Sequence, residues 1–412
     1  MVRDRLAWRA ARKHVARAQA ARPALKPETY EIGVYFADAP INLYQVRQWL
    51  APLAELDKSH RVLLLVRNAA SARILFEESP LDIAYVRTVE ELETVIAAQP
   101  LKIVLYVNQN ARNFQMMRYG RRWHVFINHG ESDKMYMTTN QFKAYDYSLI
   151  AGDAARERLG RVLWDYDFDK RALPIGRPQA DHYTGTIPFT PDDREVVLYA
   201  PTWEGDRAAA AYGSIATHGV ELVSQLVATG KHRVIYRPHP RSGALNSAYG
   251  AANKKIQDVL EQANRKDASA QHVIDLGPEL GWQLAVADIA IVDISAMVYD
   301  RLAAGKPLLI TRPVDPGAEI DEGGYLGDCE WLAVADARNI VARIDELEHD
   351  PKALKKLEKW SRHYFGDTSP GAPTKRFHKA IEDLLSAWQT HAKRHARDAV
   401  VDITEHEEGE ED

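Results

Sequence analysis

The stretch "ADIAIVDISAMVYDRLAAGKPLLITRP", residues 287–313, decides the fold class. It opens on an apolar, β-branched run, 289–294, of strand length. Ser295 follows as a good helix N-cap, and residues 296–304 carry a helical apolar spacing. Gly305 stops the helix, and Pro307 opens a second apolar run, 307–311. Strand, helix, strand with continuously apolar strands is the signature of a parallel sheet covered on both faces. Working outward, the same alternation recurs. Strand-like runs lie at 30–37, 61–67, 102–108, 123–129 and 147–151, with helical spacing at 43–56 and 88–98. After the polar, turn-rich "HYTGTIPFTPDDRE" at 182–195, the pattern restarts at 195–203, 233–237 and 272–276. From residue 336 onward the spacing is helical. The 412 residues exceed what one core serves, so two domains are expected. The reading is α/β: two Rossmann-like parallel-sheet domains, 29–185 and 186–365, facing a cleft. They are flanked by a basic helical leader at 1–28, a C-terminal helix at 366–397 and an acidic disordered tail at 398–412.

Composition supports an ordinary soluble protein, with 46% hydrophobic and 27% charged residues. The net charge of −5 hides an asymmetry: residues 1–28 carry eight Arg or Lys, and residues 398–412 carry eight acids. Cys329 is the single cysteine, so an internal disulfide is excluded. No apolar run approaches the roughly 20 residues of a membrane span, and no signal-peptide pattern opens the chain. The expectation is a cytoplasmic protein without a nucleic-acid partner. A basic leader can also lie on an anionic membrane surface, which would make it peripheral on the inner face of the cell membrane. A solvated leader is the plainer alternative.

In facing Rossmann-like domains, ligands bind outside the carboxyl ends of the strands. Four strand exits carry chemistry-bearing residues. In "FINHGESDK" (126–134), His129 can act as a general base near neutrality. Gly130 allows a sharp turn or a close approach, and Glu131, Ser132 and Asp133 can cap a following helix. In "LYAPTWEGDR" (198–207), Pro201 stiffens the exit, Thr202 offers a hydroxyl and Trp203 a flat face. In "RVIYRPHPRSG" (233–243), Pro238 and Pro240 restrict the backbone around His239, so Arg237 and His239 are aimed at something anionic. In the opening stretch, Asp293 stands near the exit, and the helix starting after Ser295 offers free N–H groups to a phosphate. Asp300 lies on that helix. Each motif alone has a plainer reading: a solvated imidazole at 129 and 239, a cap at 295, and a surface partner of Arg301 at 300.

Taken in order, these segments resemble the CDP-glycerol glycerophosphotransferase family, the teichoic-acid primases and polymerases. The resemblance runs from about residue 30 to about residue 385. It is carried by His129-Gly130, "LPIGRPQAD" (173–181), "YAPTW" (199–203), "RPHP" (237–240), "VDISAMVYD" (292–300), "GKPLLI" (305–310) and "FGDTSPGAPTKRF" (365–377). It implies a GT-B-type fold and transfer of glycerol phosphate from CDP-glycerol to a hydroxyl acceptor, lipid-linked or polymeric, with release of CMP. His129 matches the histidine proposed to activate the acceptor, and Arg237 and His239 match the pair engaging the donor pyrophosphate. Ser295 and Asp300 match donor-binding positions, and Pro201-Thr202 the segment near the nucleotide. The sequence departs from the pattern at Glu131-Ser132 (usually Thr-Pro), at Gln179 (usually Arg) and at Ala296 (usually Ser). These changes bear on substrate identity, so CDP-ribitol, or another nucleotide-activated polyol or sugar, remains open in place of CDP-glycerol.

Phosphoryl transfer of this kind needs positioned cations, dipoles and a base. No cofactor is required; Mg²⁺ is compatible, and "DYDFD" (165–169) is a weak candidate for it. Two other classes stay open: a nucleotide-sugar glycosyltransferase or epimerase on the same fold, and a non-catalytic polymer-binding protein.

Overall fold

The computed structural model describes residues 15, 17–131, 139–183, 185–277 and 280–396. Seven parallel strands form the first sheet: β1 (Ile32–Phe36), β2 (Val62–Val66), β3 (Asp82–Tyr85), β4 (Ile103–Tyr106), β5 (Trp123–Phe126), β6 (Tyr147–Ile150) and β7 (Ala172–Pro174). Their order is β3-β2-β1-β4-β5-β6-β7. Six more form the second: β8 (Glu195–Ala200), β9 (His232–Tyr236), β10 (Val273–Ile274), β11 (Ile289–Val292), β12 (Leu308–Thr311) and β13 (Trp331–Leu332), in the order β10-β9-β8-β11-β12-β13. Both are doubly wound, and the order reverses between β1 and β4 and between β8 and β11. A crevice opens at each such reversal.

Alternate residues of each strand feed two cores, as the period of two requires. In β1, Ile32, Val34 and Phe36 face one layer, while Tyr35 faces the other. The second sheet divides likewise, with Leu198 on one side and Val197 on the other. The helices Leu43–Leu56 and Ala296–Ala304 lie where the apolar spacing puts them. The first contains Pro52, yet Val46, Trp49, Leu53 and Leu56 are all buried, so the packed face prevails over the missing N–H. The strands β3, β7 and β13 go beyond the sequence reading. They are outer strands of two to four residues, too short for a clear period, and β7 ends on a proline.

The last helix, Ala372–Arg394, crosses back from the second domain to the first. Its Phe377, Ile381, Leu384 and Leu385 join one core layer of the first sheet. Trp49 and Phe377 lie 5.2 Å apart by ring centroids. The Trp123 indole donates to the Leu384 carbonyl at 3.1 Å. Asp181 anchors the start of this helix from 190 residues upstream. Its carboxylate accepts from the N–H groups of Gly371 (2.8 Å) and Thr374 (2.9 Å) and from the Thr374 hydroxyl (2.6 Å). The motifs at 173–181 and 365–377 are thus two halves of one joint.

At the ends, Val15 is buried in the first core, and residues 17–20 are helical. The rest of the leader reading up to residue 14, and the acidic-tail reading at 398–412, lie outside the described residues. No helix among the described residues is long and apolar enough to cross a membrane.

Asp181→Ala removes an N-terminal cap and should cost about 1–2 kcal/mol, seen as a lower urea midpoint. Asp181→Asn should keep most of the stability, because its amide oxygen still accepts.

Candidate functional site

His129 stands just beyond β5. Its backbone turn is made by Asn128, which takes a left-handed φ of 54°. The Asn128 side chain locks that turn, donating to the Gly130 carbonyl at 2.7 Å and accepting from the His129 N–H at 2.8 Å. The sequence reading allowed Gly130 either a sharp turn or a close approach, and the left-handed turn falls on Asn128. Asn tolerates this conformation because its short amide bonds the local backbone. Gly130 serves instead as a close neighbour of Arg177: a Cβ there would lie 3.6 Å from the guanidinium.

The His129 Nδ1 lies 3.1 Å from the Val107 carbonyl, which can only accept. Nδ1 therefore carries the hydrogen, and in the neutral ring Nε2 is the basic nitrogen. Burial pulls this imidazole below its ordinary pKa, the Val107 bond works the other way, and the Arg177 charge lowers it further. Tyr44 meets the ring edge-on at 5.5 Å. A cavity of about 300 Å³ opens beside His129, lined by Asp38, Asn42, Gln45, Asn108 and Asn110 among others. It occupies the crevice between the exits of β1 and β4.

Glu131 is buried and ion-paired with Arg158, and the residues it could cap lie outside the described ones. Ser132 and Asp133 lie outside the described residues. Gln179 is buried and lines a second, smaller cavity with Gly130, Glu131, Arg158 and Arg177.

Arg177 forms an ion pair with Asp300 across the two domains, each side chain 6% exposed. This corrects the surface reading of Asp300. Arg301, its expected surface partner, is itself buried and binds the carbonyls of Leu284 (3.1 Å) and Ala287 (3.0 Å). Arg177 also donates to the Tyr183 hydroxyl at 3.2 Å and to Gln48 at 3.3 Å. Burial opposes the Arg177 charge, but Asp300, Tyr183 and Glu131 hold its pKa above the ordinary value. Burial pushes the Asp300 carboxyl up, and Arg177 pulls it back.

In the second domain the strand exits are tied together by carboxylates. Asp293 is fully buried and accepts from the N–H groups of Thr202 (2.8 Å) and Ser214 (3.0 Å) and from the Thr311 hydroxyl. Glu204 accepts from the N–H groups of Gly243 (2.9 Å), Leu245 (2.7 Å) and Asn246 (3.0 Å), holding the loop that follows Pro240. Arg237 pairs with Asp275. His239 Nδ1 accepts from the Arg241 N–H at 3.1 Å, so the neutral ring carries its hydrogen on Nε2. The ring stacks on Trp203 at 6.4 Å, and the Arg241 guanidinium lies 3.7 Å from the same indole. Pro201 and Pro238 are buried at these exits, and Thr202 is half-buried. Ser295 caps its helix, accepting from the Met297 N–H at 3.3 Å, and Ala296 is exposed beside it.

The structure thus brings Gly130, Glu131, Gln179 and Asp300 around Arg177. It holds His129 and His239 separately, each by its own domain. Arg177, Glu204, Asp275, Asp293 and Asp38 were missed or given no structural role in the sequence. The available signal was that each flanks a strand exit. In "DYDFD", Asp167 caps a short helix and Asp169 pairs with Arg156. No cluster suited to a metal ion occurs among the described residues.

The sequence pattern of the CDP-glycerol:poly(glycerophosphate) glycerophosphotransferase family matches residues 105–315. The chain belongs to this family. The matched span contains every expected site residue from His129 to Asp300. No curated protein matches the chain in sequence. Among solved structures, the wall teichoic acid polymerase TagF is similar at 13% identity and a TM-score of 0.54, over 93% of this chain and 96% of that one. A UDP-GlcNAc 2-epimerase from Neisseria meningitidis, bound to UDP-GlcNAc, is similar at 15% identity and a TM-score of 0.57, over 86% of this chain and 99% of that one. These likenesses bear out the GT-B-type fold of this glycerophosphotransferase-family chain.

Two predictions follow the buried charges. Arg177→Met strands Asp300 and should cost about 3–5 kcal/mol in chemical denaturation, most of it recovered in the double variant Arg177→Met, Asp300→Leu. Burial raises Asp293 from its ordinary 3.8 to about 6. The folded chain then binds this proton more tightly than the unfolded one, so the group's stabilisation is full at low pH and is lost as pH rises through about 6. Asp293→Asn can keep all three hydrogen bonds and does not ionise. Its melting temperature should gain on wild type from about pH 4 to about pH 6 and then stay level.

Proposed function

We propose that this protein transfers glycerol phosphate, or a related polyol phosphate, from a CDP-activated donor to a hydroxyl acceptor, releasing CMP, in the synthesis of a teichoic-acid-like surface polymer. The observation that carries this reading is the pair of opposite histidine tautomers. His129 presents a basic Nε2 to the first domain's crevice, and His239 presents an Nε2–H in the second domain. One ring is built to take a proton and the other to donate a hydrogen bond.

The acceptor oxygen attacks the phosphorus that bears the polyol, and its proton passes to His129 Nε2. The bridging P–O bond breaks, and CMP leaves with the electron pair. Arg237 grips the donor pyrophosphate in bidentate fashion, with Asp275 fixing the plane of its guanidinium. His239 donates to the departing phosphate, and the helix beginning at Ser295 turns its N-terminus to the same charge. Gly130, Glu131 and Gln179 shape the wall around Arg177, which in this assignment orders the joint between acceptor and donor sides. Thr202 and Pro201 border the nucleotide, with Ala296 at the helix start beside it. No step needs a metal. A lipid-linked acceptor would bring the protein to the inner face of the membrane.

Support for this reading comes from the family match and from the likeness to TagF, which is named a wall teichoic acid polymerase. The likeness to an epimerase keeps one rival outcome in the test. Incubation with CDP-glycerol, CDP-ribitol and UDP-GlcNAc should release CMP from a CDP donor in an acceptor-dependent way. Epimerised UDP-sugar with no CMP release would overturn the reading.

His129→Ala should lower transfer about 10²–10⁴-fold while CDP-glycerol still binds. Because burial holds His129 below its ordinary 6.5, the acid limb of kcat/KM should fall at an apparent pKa below that value. An acid limb above 6.5, or normal turnover in the alanine variant, would remove His129 from the chemistry.

A further inference from the structure

The tautomer of His239 is set by the Arg241 N–H, which donates to Nδ1 at 3.1 Å. That bond lasts only while the chain from 239 to 241 keeps its turn. Pro240 fixes φ at the centre of the turn. The Ser242 N–H closes it on the His239 carbonyl at 2.9 Å, and the Ala244 N–H reaches the Arg241 carbonyl at 3.0 Å. From Gly243 onward the loop is fastened. Glu204 accepts from three of its N–H groups. Gly243 takes a φ of 85°, and a Cβ there would come within 2.7 Å of the Gly250 Cα, so the loop lies directly on the helix Ser247–Lys266. Arg241 itself is exposed, ahead of these fastenings. Its guanidinium lies 3.7 Å from the centre of the Trp203 indole, well within cation–π reach.

Trp203 has a firm seat at the exit of β8, the strand that pairs with β9. The N–H before it, on Thr202, is held by buried Asp293 at 2.8 Å. The residue after it is Glu204. Gly213 packs close beneath, since a Cβ there would come within 2.9 Å of the Trp203 carbonyl. The indole is therefore a fixed plane. The His239 ring lies nearly parallel to it, at 28°, and Arg241 leans on the same indole.

We propose that Trp203 is a positioning residue: its indole holds Arg241, and through the Arg241 N–H it fixes the tautomer and ring plane of His239. This rests on the reading of His239 as hydrogen-bond donor to the departing phosphate. Trp203 does for His239 what the Val107 carbonyl does for His129, but with a side chain from the neighbouring strand exit. Without the indole, Arg241 moves into water and its N–H leaves Nδ1. The neutral ring then places its hydrogen on either nitrogen, and part of the population offers the phosphate a lone pair in place of an N–H.

The test observes the imidazole directly. Nitrogen NMR of histidine-labelled full chain at about pH 8, where an ordinary imidazole is neutral, reads the tautomer, and His239→Ala assigns the signal. Wild type and Trp203→Phe should carry the hydrogen on Nε2, because phenylalanine keeps an aromatic face. Trp203→Leu and Arg241→Gln should show mixed tautomers. Trp203→Leu should lower kcat about tenfold and leave the donor KM within about twofold, since the Arg241 charge is kept; Trp203→Phe should recover most of that loss. Arg241→Gln changes an exposed side chain, so it keeps the test decisive should Trp203→Leu lose its fold. A wild-type tautomer in the folded variants would overturn the proposal. So would wild-type kcat in Trp203→Leu while His239→Ala is slow. Wild-type turnover in His239→Ala would instead count against the reading of His239, and the tautomer would still decide what Trp203 does.

Discussion

The buried ion pair between Arg177 and Asp300 is the constraint on which the arrangement of the site depends. Two charges removed from water are tolerated only when they meet each other in good geometry. Arg177 leaves the first domain after β7, and Asp300 sits on the helix after β11. Their pairing sets how the two crevices face one another. It also places a positive charge beside the His129 loop and a hydrogen bond on Tyr183. The backbone before it is equally constrained. Gly176 takes a φ of 75°, and a Cβ there would come within 2.8 Å of the Phe365 carbonyl. Five residues after Gly176, Asp181 fastens the last helix. The short segment around 176–181 thus serves as joint, charge source and helix anchor.

Around that joint, much of the polar machinery supports backbone. Asp293 and Glu204 act as acceptors for N–H groups at loop starts, and neither presents its carboxylate as a free charge. Buried loops require such partners, because an unsatisfied N–H is costly. Their effect on function is positional: they hold Thr202, Trp203 and the loop after His239 where strand exits can use them. The histidine tautomers follow from the same kind of scaffold, a carbonyl at Val107 for one ring and an N–H at Arg241 for the other.

The fold itself is shared with a polymerase and an epimerase, so it does not choose the reaction. The family match narrows the choice. In the proposed function, Arg237, His239 and the Ser295 helix serve a pyrophosphate.

The sequence by itself determined the doubly wound architecture, because continuous apolar strands and capped helices are local patterns. The helices 43–56 and 296–304 and the cap at Ser295 were legible to the residue. So were the strand exits carrying His129, Arg237 and His239, since turn formers and prolines mark them. Short outer strands such as β13 were not, for two residues have no measurable period. Nor was the return of the last helix to the first domain, or the burial of Asp300 against Arg177. Sequence spacing gives the face on which a side chain lies, not the distant partner that meets it. A charge 123 positions from its counter-ion reads as a surface residue until packing excludes the water between them.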